Sequence, residues 1–202
     1  MDFVQNVGRR SDTAGDNGQF IHVGIFSLNG YERNALYCNR GVGRFFDVGY
    51  LEGADRVEDG RGMGLLDADM DGDPDIIIAN YAQPARLLIN HAPPETHWLR
   101  LALEGTRSSR MPVGARVEVR SGTQRQFRQV SLSGGYLSGQ SPYLHFGLGI
   151  AKSVDDLIIH WPSGAVQELR DVPADRLYWI REGQQLPSPE RNQPAGPATA
   201  VR

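Results

Sequence analysis

The apolar residues of this chain come in short runs, and that limits the fold more than any other feature. Ile76-Ile77-Ile78, Trp98 to Leu103, Val117 to Val119, Leu157 to Ile159 and Tyr178 to Ile180 mostly end near Gly, Pro, Asn or Asp. Several alternate, as in Leu99-Arg100-Leu101-Ala102-Leu103 and Val117-Glu118-Val119. A period of two sends successive side chains to opposite faces of a strand. The flanking Gly, Pro, Asn and Asp mark the turns between strands. Long helical periodicity is nearly absent. The predicted class is all-β, and 202 residues make one large domain or two small ones.

Hydrophobic residues make up 40% of the chain and charged residues 22%, a globular balance. The net charge is −3 with the signs mixed and no basic stripe, so nucleic acid is not an expected partner. No apolar window of about 18 residues is present, so no direct membrane span is expected. No basic stretch followed by an apolar one opens the chain, so no export signal is read. The single cysteine, Cys38, reads as a small packed strand residue.

The chain divides into four expected stretches. Residues 1–27 are an N-terminal extension or degenerate repeat, and 28–92 form a unit carrying an acidic loop. Within the latter, Asn34-Ala35-Leu36-Tyr37-Cys38-Asn39 is echoed by Ala85-Arg86-Leu87-Leu88-Ile89-Asn90. This weak repeat suits a blade-like β unit that leans on something else. Pro93-Pro94 breaks both helix and ladder. Residues 96–183 then read as a compact β-sandwich or barrel. Residues 184–202 are a Pro-rich tail, disordered or laid on a partner.

Asp67 to Asp75 reads DADMDGDPD. Alternate carboxylates in a tight loop converge on one centre, and hard oxygen ligands in flexible geometry suit calcium. The candidate ligands are Asp67, Asp69, Asp71, Asp73 and Asp75, with Asp73 given the lesser side-chain role. Gly72 falls where the chain turns sharply. No Cys or His lies within the loop, which argues against zinc. A solvated acidic turn is the bland alternative, but five aspartates in nine residues repel one another unless a cation joins them. The predicted cofactor is Ca2+. The fragment Asp12, Asp16, Asn17 reads as an ordinary turn or as a decayed copy of this loop.

DADMDGDPDIII followed by a short strand and Asn90 resembles the FG-GAP or VCBS calcium repeat. Gly30-Tyr31-Glu32-Arg33-Asn34 through Asn39, with Asp59-Gly60-Arg61-Gly62, resembles the CRTAC family. Gly114-Ala115-Arg116-Val117, Gly134-Gly135-Tyr136-Leu137-Ser138, His145-Phe146-Gly147-Leu148-Gly149 and Trp161-Pro162-Ser163-Gly164, with Trp98-Leu99, resemble the ASPIC/UnbV domain. The resemblance implies a periplasmic or extracellular location, calcium-stabilised β structure, and adhesion or scaffolding through a protein partner. It implies no catalytic activity. The truncated repeat and the tail also allow a peripheral subunit of a larger envelope or membrane-associated assembly.

A carbohydrate-binding module is a further alternative, resting on aromatics such as Trp161 at a strand end. The competing reading of Trp161 is a buried core residue. His145 reads as a core or inter-sheet histidine, and Ser133 to Ser141 as a glycine-rich turn. Arg116, Arg120, Arg125 and Arg128, interleaved with Glu118, read as a solvated face.

Overall fold

The computed structural model describes residues 32–136 and 138–185, together with the backbone of the short strand Phe3–Val4. Asp12, Asp16 and Asn17, and most of the Pro-rich tail, lie outside the described residues. The described chain is all-β, as the short alternating runs require, and it contains no helix. It divides into two compact units that are discontinuous in sequence. The first comprises 1–64, 76–88 and 135–138, and the second 65–75, 89–134 and 139–202.

The first unit holds small sheets. Strands β1 (Phe3–Val4), β3 (Tyr37–Asn39) and β4 (Phe45–Asp47) form one antiparallel ladder around β3. Strands β2 (Glu32–Arg33) and β5 (Val57–Glu58) pair antiparallel. Strands β6 (Gly60–Leu66), β7 (Asp75–Asn80) and β8 (Arg86–Leu88) make a third sheet in that order. The two echoed segments of the sequence therefore contain β3 and β8. Cys38 is buried, together with Ala54, Ile76 and Ile78. Along β7 the alternation buries Ile76 and Ile78 and leaves Ile77 exposed. Glu58 is gripped by Arg86 and also accepts from Asn80 Nδ2 at 3.3 Å.

The second unit is built from β9 (His97–Glu104), β10 (Arg116–Ser121), β11 (Gln124–Gln129), β12 (Ser133–Gly135), β13 (Ser138–Gly139), β14 (Leu144–Gly149), β15 (Ser153–His160), β16 (Val166–Pro173) and β17 (Arg176–Arg181). The short pair β12–β13 stands apart, and its tip groups with the first unit. One sheet runs β11-β10-β15-β16 and the other β14-β9-β17. Strand β14 is antiparallel to β9, whereas β17 is parallel to it. Period-two alternation sends Leu99, Leu101, Val117, Val119, Phe146, Leu157, Ile159, Tyr178 and Ile180 into one shared core, all at most 2% exposed. Two sheets filling a common core make a sandwich, and neither closes into a barrel.

Two details explain how the sandwich is tied off. Trp161 to Gly164 forms the turn between β15 and β16, with Gly164 N donating to Trp161 O at 2.9 Å and Gly164 at φ 89°. Glu182, buried just beyond β17, accepts the backbone N–H groups of Thr106, Arg107 and Ser108 at 2.9, 2.8 and 2.7 Å. The Ser163 hydroxyl donates to the same carboxylate. Burial alone would push the Glu182 pKa up. The donors from Ser108, Ser163, Thr106 and Arg107 outweigh it and bring the value down to about 2.

Candidate metal centre

The acidic loop joins β6 to β7 and belongs to the second unit, as do its partners. Its turns are made by its own carboxylates: Asp73 N donates to Asp71 Oδ1 at 2.9 Å and Asp71 N to Asp69 Oδ1 at 3.4 Å. Met70 and Gly72 take positive φ, 63° and 96°. At Gly72 a Cβ would lie 1.9 Å from Trp98 Cε2, so the loop backbone rests directly on the indole. Glycine is thus required there twice, by its φ and by the close approach.

The acidic side chains divide by role. Asp75 is fully buried, with Oδ2 accepting from Ala68 N at 2.7 Å and Oδ1 from Asn90 N at 2.8 Å. Those bonds fix both ends of the loop and leave lone pairs for a further partner. Asp73 Oδ2 accepts from Ala92 N at 2.9 Å. Burial pushes the Asp73 pKa up against that N–H, and the charges of Asp71, Asp67 and Asp75 push the same way. Asp67 accepts from Arg100 Nη1 at 2.5 Å through Oδ2, while its Oδ1 is buried with no hydrogen-bond partner.

One ligand atom each from Asp67, Asp69 and Asp75 lie within 4.8 Å of one another. Oxygens bound to one calcium at 2.3–2.6 Å sit at most about 5 Å apart, so this spacing suits a single ion. A second group, Asp69, Asp71 and His91, meets the same spacing and shares Asp69. The orphaned Asp67 oxygen and a donor set dominated by carboxylates fit a hard cation. The residues that would hold it are Asp67, Asp69 and Asp75, while Asp71 groups with Asp69 and His91 in the second set. Asp73 instead accepts from Ala92 N through Oδ2.

Sequence reasoning missed three partners: His91 beside the loop, Trp98 beneath it, and Arg100 on Asp67. Trp98 and Arg100 occupy the outward positions of β9, whose inward positions are Leu99 and Leu101. The alternation shows that they point away from the core, but not what covers them.

The other sequence candidates are accounted for elsewhere. Trp161, on which a carbohydrate reading would rest, is 4% exposed and donates Nε1 to Gln167 Oε1 at 3.1 Å, so it is a core residue. His145 stacks on Trp98 with ring centroids 6.5 Å apart. Burial, helped by the charges of Arg100 and Arg128, lowers the His145 pKa to about 4, which keeps the ring neutral at physiological pH. Arg120 pairs with Asp156 and Arg125 with Glu118, so these two members of the arginine group are spent on local ion pairs.

Residues 105–187 match the family described as ASPIC and UnbV. That range contains β10 to β17. Cartilage acidic protein 1 of Xenopus tropicalis is 39% identical over 66 residues, which are 32% of this chain. The matched stretch is 10% of that relative's length. Residues 105–187 thus carry the sequence pattern of the ASPIC and UnbV family, in a chain that is similar to cartilage acidic protein 1 over about a third of its own length and a tenth of that relative's.

Proposed function

We propose that this chain is a calcium-binding interaction protein without catalytic activity, acting in adhesion or scaffolding outside the cytoplasm. One observation carries the calcium assignment. The Asp67 side chain is only 8% exposed, and one of its oxygens has no partner beside the carboxylates of Asp69 and Asp75. A buried, unpaired carboxylate oxygen is costly, and a cation is the partner that relieves it. The similarity to cartilage acidic protein supports the extracytoplasmic setting. The small sheets of the first unit are read as an FG-GAP/VCBS-like blade. Calcium in this account is a structural ion that holds the loop on the sandwich.

A ligand that binds only the folded chain stabilises it by about 2.7 kcal/mol at a hundredfold excess over Kd. The melting temperature should therefore rise with calcium and fall in chelator. An unchanged melting curve in excess chelator, with the metal shown to be removed, contradicts the reading.

Exposed apolar side chains in the first unit favour a second reading, a peripheral subunit of a larger envelope or membrane-associated assembly. Phe46, Val57 and Leu87 are 53%, 48% and 46% exposed. A protein partner covering them is the expected arrangement. Native mass measurement on material from the source distinguishes the two: a stable lone monomer counts against the assembly.

A further inference from the structure

We propose, resting on the calcium reading above, that Arg100 is a built-in counter-cation of the loop. It holds the acidic side chains together when calcium is absent, and by occupying one oxygen of Asp67 it weakens the site toward the affinity range of extracellular modules.

The geometry places Arg100 for this role. It lies on an outward position of β9, opposite His145 of β14 in the ladder. Its Nη1 meets Asp67 Oδ2 at 2.5 Å, and its guanidinium sits 5.6 Å from the Tyr143 ring centroid. The guanidinium is thus held from two sides, by a carboxylate and by an aromatic face. Asp67 is therefore half committed. Oδ2 belongs to Arg100, and Oδ1 faces no donor.

Two consequences of opposite sign follow. Without calcium, five aspartates within nine residues repel one another, and a fixed positive charge on Asp67 relieves part of that repulsion. With calcium, the same charge repels the ion and competes for one of its ligands. Affinity in carboxylate loops follows ligand charge and rigidity, so cancelling one carboxylate weakens binding. A residue that merely propped up the loop would, when removed, lower stability and affinity together. A counter-cation, when removed, lowers the stability of the calcium-free protein and raises the affinity.

The test is calorimetric titration of the full chain with calcium chloride, with melting in chelator measured alongside. Arg100→Met should tighten binding about tenfold while lowering the melting temperature in chelator. Arg100→Gln keeps a donor for Asp67, should show the same tightening, and serves if the Met variant does not fold. Arg100→Lys keeps the charge and should stay within about threefold of wild type. Unchanged or weaker calcium binding in the neutral variants overturns the proposal while leaving the calcium reading in place. Absence of binding in wild type overturns both.

Discussion

The two units of this chain use the same strand-and-turn grammar and reach different ends. Among its described residues, the second gathers eighteen buried ones into one core shared by two sheets. The first buries Cys38, Ala54, Ile76 and Ile78 among its described apolar residues and leaves Phe45, Phe46, Val57 and Leu87 exposed. Strand length is one reason. Strands β9, β15 and β16 run eight residues each, while β2 and β5 run two. A long strand puts several inward side chains on one face, and a two-residue strand can contribute only one. The contrast teaches that long alternating strands concentrate apolar burial in the sandwich, whereas the short strands of the first unit leave much of their apolar surface exposed.

The sharpest way to break this contrast is to truncate each core. Phe146 is fully buried, and Phe146→Ala should cost about 3–5 kcal/mol, read by denaturant unfolding. Ile78→Ala, in the first unit, should instead speed amide exchange within 32–64 and 76–88 and leave the sandwich's unfolding transition in place. Equal shifts of one shared transition by both variants would erase the distinction.

The loop on Trp98 gives the next largest effect. Gly72→Ala should destabilise by about 1–3 kcal/mol, through overlap with the indole and the positive φ. In a Trp98→Ala background the overlap is gone, and the added cost should fall to about 1 kcal/mol, the strain of the left-handed backbone. A double-mutant cycle with no coupling between the two positions would show that the loop does not rest on that ring.

Glu182 sharpens the account of the sandwich by way of pH. Its folded pKa, about 2, lies below the ordinary 4.5, so its contribution is present above about 4.5 and is lost as the pH falls toward 2. Glu182→Gln should lower the melting temperature at pH 7, and the gap from wild type should narrow across that acid window. A gap that stays constant down to pH 2 would mean that the charge on Glu182 is not what anchors residues 106–108. The smallest effect is expected on the outer face of the four-stranded sheet. Arg170, 3.6 Å from Asp156 and largely exposed, should change stability by less than about 0.5 kcal/mol when replaced by Ala.

Much of this was legible in the sequence. The all-β class follows from runs such as Leu99 to Leu103, where every second residue must be apolar for a sandwich to close. The acidic loop was legible because carboxylate spacing is a local property. Its allegiance to the second unit was not. That depends on Asn90, Ala92, Trp98 and Arg100, which lie 15 to 33 residues from the loop atoms they meet wherever a hydrogen bond joins them. Glu182 was equally hidden, because the N–H groups it anchors stand 74 to 76 residues away. Period-two patterning reports which face a side chain takes. It carries no record of which distant backbone or loop will occupy that face.

The most direct measurement of the central claim is hydrogen exchange on the intact chain in millimolar calcium and in chelator. Calcium should slow exchange in residues 67–75 and at the amides of Asn90 and Ala92, which donate to Asp75 and Asp73. Identical exchange in both conditions across these residues, with calcium shown to be bound, would contradict it.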